Sequence, residues 1–233
     1  IEDYVNFIGI TYPRKYKTNL DETTIAVCSG PIQGKFENAL RIAEYVEIYQ
    51  LLGASKFYFY NMSMSKEVEN LARHYESQGL AEIVSWNIDE VLEMDENIIH
   101  YYGIMATLND CFYRATAIDN FKYVIVTDYD EIIFPYKTET LTEFLELYDM
   151  PTIHSFTFSN YFVFAEYPQD LSNVPQNAVN KFLYTQALVK RMKFVTGDKK
   201  WFRVRTKFIA KRDFVTDVGN HYVWYSTTKN GFT

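Results

Sequence analysis

Residues 123–135 of this 233-residue chain read Tyr123-Val124-Ile125-Val126-Thr127-Asp128-Tyr129-Asp130-Glu131-Ile132-Ile133-Phe134-Pro135. The opening run of β-branched and aromatic residues is typical of a central parallel strand that is buried on both faces. Three carboxylates then follow within four residues. Open α/β sheets hold ligands at the carboxyl ends of their strands. This stretch therefore predicts both a doubly wound α/β sheet and a binding edge.

Asp128 and Asp130 are two residues apart, so on an extended chain their side chains share one face. Carboxylates that converge at a strand end suit a hard divalent ion such as Mn²⁺ or Mg²⁺, which can in turn bind a diphosphate. Asp-x-Asp is nevertheless a short and common pattern. A solvated strand end, with Asp130 capping a turn, is the simpler interpretation, and both stay open at this point.

The composition limits the classes of partner. The net charge is −7 at pH 7, and no Lys- and Arg-rich stripe is visible, so a nucleic-acid partner is excluded on electrostatic grounds. No apolar run reaches the roughly 20 residues that span a bilayer. Because the sequence starts at Ile1 rather than Met, membrane attachment is expected only through an amino-terminal anchor that precedes it.

Apolar periodicity upstream of the acidic stretch predicts two successive βαβ units. Right-handed crossovers then place strands two and three on one side of strand one, and strand four on the other. Residues 1–24 are expected to be a polar lead-in and residues 25–233 one domain that ends in a small antiparallel part. The expected strands are 24–28, 57–60, 81–86, 123–127, 152–164, 202–211 and 215–224; the expected helices are 38–52, 66–78, 101–118 and 141–148; and 167–180 is expected to be a loop.

The strand order reverses between strands one and four, and such a reversal opens a crevice at the carboxyl edge. The residues expected to line it as a nucleotide-binding site are Pro31, Asn61, Asn109, Asp110 and Asp128. A uridine or guanosine diphosphate needs an apolar wall, amide partners and a cation, and each has a candidate there. His221, late in the chain, could complete a metal shell, although a lone histidine more often has a structural role.

Five motifs in register carry a family resemblance. They are Val27-Cys28-Ser29-Gly30-Pro31, Glu44-Tyr45-Val46-Glu47, Leu52 through Tyr60, Asn109-Asp110-Cys111, and Asp128-Tyr129-Asp130-Glu131 through Pro135. Together with the late His221, they resemble glycosyltransferase family 92, formerly a domain of unknown function. A weaker similarity to family 2 glycosyltransferases indicates the same GT-A architecture.

The resemblance implies a metal-dependent, inverting transferase that moves a hexose, galactose from UDP-galactose in characterised relatives, onto a glycan or glycoprotein acceptor. It also implies a type II membrane protein of the Golgi lumen. Residue by residue, Asp130 matches the direct ligand of Mn²⁺ or Mg²⁺, Asp128 a ribose or water-mediated partner, and His221 the late metal-binding histidine.

Two features remain open. The general base is not readable, and Glu166 and Asp198 are the ranked candidates, ahead of Asp217. Cys28 and Cys111 both lie inside matched motifs, and either a disulfide or two buried thiols fits the sequence.

One departure from the resemblance favours a rival function. Relatives commonly carry Gly-Gln before the Asn-Asp-Cys helix, whereas this chain has Gly103-Ile104. If that Gln contacts donor sugar or nucleotide, the chain could be a catalytically inactive module that binds nucleotide sugar or glycan. A nucleotide-sugar hydrolase is a third class with the same metal chemistry.

Overall fold

The computed structural model describes residues 23–34, 36–88, 100–160 and 205–227. Within these ranges the α-helices are Ala39–Leu51 (α1), Lys66–Ser77 (α2), Ile104–Tyr113 (α3) and Leu141–Tyr148 (α4). The strands are Ile25–Cys28 (β1), Lys56–Asn61 (β2), Ala81–Ser85 (β3), Tyr123–Val126 (β4), Ser155–Phe158 (β5), Lys207–Lys211 (β6), Val215–Val218 (β7) and Val223–Ser226 (β8).

The strand order in the main sheet is β3-β2-β1-β4-β6-β5, and β7 and β8 form a separate two-stranded sheet. The first four of these neighbours are parallel, whereas β6 runs antiparallel to both β4 and β5. Strands two and three therefore lie on one side of strand one, with strand four on the other. The predicted α/β class, the mostly parallel sheet and the small antiparallel part are confirmed.

Three helices begin at polar caps. The side chains of Asn38, Ser65 and Thr140 accept hydrogen bonds from backbone N–H groups three residues later, at the starts of α1, α2 and α4. Such caps satisfy donors that a helix leaves unpaired in its first turn. The predicted boundaries of these helices are therefore correct to within one or two residues.

The carboxyl-terminal half differs more from the prediction. Within the described part of the expected strand 152–164, the strand is Ser155–Phe158, and within that of 202–211 it is Lys207–Lys211; residues 161–164 and 202–204 lie outside the described residues. The expected strand 215–224 is a hairpin, because Gly219-Asn220 turns the chain between β7 and β8. The predicted loop 167–180 lies outside the described residues.

The predicted helix 101–118 is also composite. Its first turn is left-handed, with positive φ at Tyr101, Tyr102 and Gly103, and its last turn, Arg114–Ile118, widens to a π-helix. Left-handed backbone costs roughly 1–2 kcal/mol for a residue with a Cβ. Only Gly103 adopts it without that cost, and it is the residue directly before α3.

Side chains alternate between two cores, one on each face of the sheet. On β1, Ile25 and Val27 pack with α1, α2 and α4, whereas Ala26 and Cys28 pack with α3 and β7. A sheet buried on both faces needs strands that are apolar throughout, which explains the unbroken apolar runs read in the sequence. None of the helices in the described ranges is both long and apolar enough to cross a bilayer.

Cys28 and Cys111 form a disulfide bond, with their Cα atoms 5.9 Å apart. The bond joins the last residue of β1 to α3, across 83 residues of sequence. Of the two alternatives left open by the sequence, the structure therefore has the disulfide. It fastens α3 to the sheet at the carboxyl edge.

A buried charge cluster closes the opposite, amino edge of β4. Lys211 Nζ lies 2.7 and 3.0 Å from the two carboxylate oxygens of Asp149, and Tyr123 donates its hydroxyl to the same carboxylate at 2.6 Å. Lys122 Nζ lies 3.5 Å from Asp149 Oδ2. Burial raises the pKa of Asp149, but the hydrogen bonds and lysine charges outweigh it and lower this pKa below its usual value.

We expect the Cys28→Ala/Cys111→Ala double variant to lose about 2–4 kcal/mol of unfolding free energy, because the disulfide restricts the unfolded chain. Urea denaturation measures this. Reductant should shift the wild type in the same direction and leave the double variant unchanged. Two thiols that react with iodoacetamide in the unreduced, unfolded wild type would contradict the bond.

We expect Asp149→Asn to lower the unfolding free energy by about 3 kcal/mol at pH 7, because it leaves Lys211 buried without its counter-charge. The depressed pKa means that this stabilisation is present above about pH 4 and is lost as the pH falls through the folded-state value. Urea denaturation between pH 7 and pH 3 should therefore show the two proteins converging in acid. Asp213→Asn, which removes an exposed pair with Arg212, is the control. A difference that stays constant with pH would contradict the assignment.

Candidate functional site

The candidate site lies where β1, β2 and β4 end at the carboxyl edge of the sheet. Because β6 is antiparallel to β4, β6 starts at this same edge. The ladder pairs Val126 with Phe208, so Thr127 and Lys207 follow as the next facing positions. The acidic turn after β4 therefore meets the first residue of β6.

A tight turn holds the carboxylates that follow β4. The backbone N–H of Asp128 donates to Glu131 Oε2 at 3.1 Å, and the backbone N–H of Glu131 donates back to the Asp128 carbonyl at 3.0 Å. Asp130, at the tip, has a side chain that is 60% exposed and lies 3.4 Å from Arg41 on α1. Asp128 and Glu131 are thus half-buried, whereas Asp130 faces outward.

Buried hydroxyl groups support this turn from α1. The Tyr45 hydroxyl lies 2.6 Å from Ser29 Oγ and 2.7 Å from Thr127 Oγ1, and Tyr49 donates to the Glu131 carbonyl at 3.2 Å. Burial raises the pKa of both tyrosines, so they stay protonated and can donate. The loop after β1 and the turn after β4 are consequently tied to one helix.

Lys207 is the residue that sequence reasoning missed. Its ammonium lies 2.9 Å from Asp128 Oδ2 and 3.1 Å from Glu131 Oε2, and it donates to Asn220 Oδ1 at 2.9 Å and to the Asn220 carbonyl at 3.2 Å. Only 6% of its side chain is exposed. In the sequence, Lys207 lies inside the expected strand 202–211, where a lysine is usually expected to reach solvent.

His221 lies in the turn between β7 and β8, beside the start of β6. Its Nδ1 is 3.2 Å from the Thr206 carbonyl, and the Thr206 hydroxyl donates to the His221 carbonyl. Burial and the charge of Lys207 lower the pKa of His221, against the opposing effects of the Thr206 hydrogen bond and the charge of Asp128. The imidazole is therefore neutral at physiological pH, which is the form that binds metals.

The carboxylates of Asp128 and Asp130 and the imidazole of His221 are side-chain types that bind divalent ions. Among the residues that the structure describes, however, no three His, Cys, Asp or Glu side chains are gathered as a metal site. Asp128 is held by Lys207, whereas Asp130 has only a partly exposed pair with Arg41. Exposed pairs contribute about 0–1 kcal/mol, so an incoming cation can displace Arg41 from Asp130 at little cost.

Asn61 and Pro31 lie side by side at the edge. Ile32, the residue after Pro31, forms a parallel bridge with Asn61, and the Asn61 side chain accepts from the Met64 backbone at 3.0 Å. These residues extend the sheet beyond β1 and β2. Their role in binding a nucleotide remains a prediction.

Asn109 and Asp110 are engaged inside the framework. The Asn109 amide donates to the Val218 carbonyl at 2.8 Å and accepts from the Val218 N–H at 3.0 Å. Asp110 accepts from the Tyr60 hydroxyl at 2.5 Å and from Arg114 at 2.6 Å. In this structure, both side chains fasten α3 to its neighbours, so direct nucleotide contact remains a prediction.

Ile104, the departure noted in the sequence, is buried at the start of α3. A Cβ built on Gly30 would lie 3.0 Å from the Ile104 side chain, so the isoleucine packs directly on the loop after β1. An apolar side chain therefore lies against this glycine of the predicted nucleotide loop.

Of the three candidate bases, the structure describes Asp217. Glu166 and Asp198 lie outside the described ranges. Asp217 is half-buried in β7, where it pairs with Tyr225. The identity of the base remains a prediction.

The chain is similar in sequence to one characterised protein and to one family of enzymes. The beta-1,4-galactosyltransferase galt-1 of Caenorhabditis elegans is 30% identical over 135 residues, which are 56% of this chain and 30% of that protein. This chain therefore spans less than a third of that relative.

Solved structures with partial similarity include the WbbM bifunctional glycosyltransferase, at 12% identity and a TM-score of 0.32, covering 62% of this chain and 24% of that one. Mannosyl-3-phosphoglycerate synthase from Rubrobacter xylanophilus is 13% identical with a TM-score of 0.37, covering 82% of this chain and 54% of that one. A sequence model of glycosyltransferase family 92 matches residues 23–232, nearly the whole chain. The chain belongs to glycosyltransferase family 92.

Proposed function

We propose that this chain is the catalytic part of a metal-dependent, inverting glycosyltransferase that moves galactose from UDP-galactose onto a glycan acceptor. Membership of the family carries the general proposal of a sugar transferase. The galactosyltransferase relative supports the choice of donor. The carboxylates and imidazole at the carboxyl edge of the sheet support the placement of the diphosphate there.

In this proposal, Asp128, Asp130 and His221 would hold Mn²⁺ or Mg²⁺, which when bound would neutralise charge on the departing diphosphate. Asp130 is the available carboxylate because its side chain is exposed and its Arg41 pair is weak. Asp128, fixed by Lys207, orients the turn. His221 would bind the ion as a neutral imidazole, the form that its lowered pKa favours. Pro31 and Asn61 would contact the nucleoside from the β1 and β2 ends.

The acceptor hydroxyl must lose a proton as it attacks the anomeric carbon, so a carboxylate base is required on the acceptor side. Glu166 and Asp198 remain the proposed candidates. The Cys28–Cys111 disulfide supports an oxidising compartment, in keeping with the proposed Golgi lumen and type II membrane anchoring.

One observation favours the rival, a module that binds nucleotide sugar without transferring it. Lys207 and Arg41 already neutralise Asp128 and Asp130, and Ile104 stands where relatives commonly have Gln. Binding without turnover would establish this rival.

The test is UDP release from UDP-galactose by the purified chain, with a glycan acceptor array and Mn²⁺. We expect acceptor-dependent release, an inverted anomeric product by NMR, and loss of activity in EDTA. Asp130→Asn should lower turnover by roughly 10²-fold or more, because it removes charge needed at the departing diphosphate.

Asp213→Asn, an equally exposed substitution at the amino edge of the sheet, is the matched control and should retain activity. UDP-glucose and GDP-mannose test the donor choice. Metal-independent transfer, or full activity of Asp130→Asn, would overturn the metal assignment. Calorimetry that shows no UDP binding with or without Mn²⁺ would overturn the function.

A further inference from the structure

We propose that Lys207 is a positioning residue, whose buried ammonium ties the Asp128–Glu131 turn to the Asn220–His221 turn and so sets the two halves of the donor site in register. The binding part of this inference rests on the proposed function. The tether itself rests on contacts within the chain.

The contacts run from one side chain to both turns. Each of the three N–H bonds of an ammonium can donate once, and Lys207 has four acceptors within 3.2 Å, two in each turn. The preceding residue, Thr206, bonds reciprocally with His221. Residues 206–207 therefore clamp residues 220–221, and Lys207 extends that clamp to the acidic turn.

The charges make this tether specific. Asp128 and Glu131 bring two carboxylates to one ammonium, at 2.9 and 3.1 Å from Lys207 Nζ. Removing the ammonium leaves two like charges side by side, which favours separation of the turn from its neighbours. Methionine in place of Lys207 has no N–H to donate, so it cannot hold Asn220 either. Replacing Lys207 should therefore loosen both the Asp128–Glu131 turn and the Asn220–His221 turn.

The same strand supplies a matched comparison. Lys211, four residues along β6, is equally buried and pairs with Asp149 at the opposite edge of the sheet. Lys207 and Lys211 thus share strand, burial and partner chemistry, and differ in position. If Lys207→Met has an effect on the site that Lys211→Met does not have, that effect comes from the position of Lys207 beside the site and not from the loss of a buried lysine in general.

The first experiment is hydrogen–deuterium exchange of the full chain, for wild type, Lys207→Met and Lys211→Met. Both variants should melt at a lower temperature. Only Lys207→Met should speed exchange at residues 128–131 and 219–222, by roughly tenfold, equivalent to about 1.4 kcal/mol. Residues of β1 and β2 should change equally in both variants.

The second experiment is calorimetry with UDP and Mn²⁺. Lys207→Met should weaken binding by roughly tenfold or more, and Lys211→Met by less than about twofold. Adding Glu131→Gln to Lys207→Met removes one uncompensated charge, so it should recover melting temperature without recovering UDP affinity. A purely structural role would instead make stability and affinity recover together.

Equal exchange and equal UDP affinity in the two lysine variants would overturn the inference. If wild-type protein binds no UDP, the proposed function fails, and the exchange experiment alone decides the tether. If UDP binds but exchange at residues 219–222 is unchanged in Lys207→Met, the function stands and the tether is overturned.

Discussion

The register of β4 is the constraint on which the candidate site depends. β4 pairs parallel with β1, Val126 beside Cys28, and antiparallel with β6, Val126 beside Phe208. A slip of one residue would turn every side chain to the opposite face. Thr127 would then lose Tyr45, and Asp128 would lose Lys207. The two packed cores prevent such a slip, because each face accepts only its own set of apolar side chains.

The carboxylates at the carboxyl edge of the sheet pair with two cations that differ in burial. Asp128 and Glu131 face a buried ammonium, whereas Asp130 faces Arg41 from an exposed position. A buried pair is costly to break by removing one partner, and an exposed pair is not. Of the two aspartates in the motif, Asp130 is thus the one free to change partners. Asp128 is better suited to hold the turn in place, and the roles that the family resemblance implies for the two aspartates stay predictions.

Much of the fold was predictable because its signals are local. Apolar periodicity and right-handed crossovers predicted β1 to β4 and their order, and they placed Asp128 and Asn61 at one edge. The disulfide was undecidable, because it depends on the distance between Cys28 and Cys111 in space. The hairpin after Phe214 was missed because apolar residues at both ends of 215–224 were taken as one strand, although Gly219-Asn220 marks its turn.

Lys207 could not be found by the same reasoning. A lysine within an expected strand usually reaches solvent, and the burial of Lys207 follows from the antiparallel pairing of β6 with β4. That pairing joins residues about 80 positions apart and has no short-range signal. The tyrosines of α1 share the problem: Tyr45 and Tyr49 read as core residues, and their hydroxyl contacts appear only when Thr127 and Glu131 are placed above them.

The Asn109-Asp110-Cys111 motif shows how residues can serve a site without contacting its ligand. Consecutive side chains of α3 reach β7 through Val218, β2 through Tyr60 and β1 through Cys28. Val218 is three residues before His221, so the Asn109 amide fixes the strand that leads into the imidazole. One helix thereby sets the relative positions of the loops after β1, β2 and β7. Substituting Asn109 would then act on the site through His221, because the Asn109 amide is already bonded to the backbone on both its donor and acceptor sides.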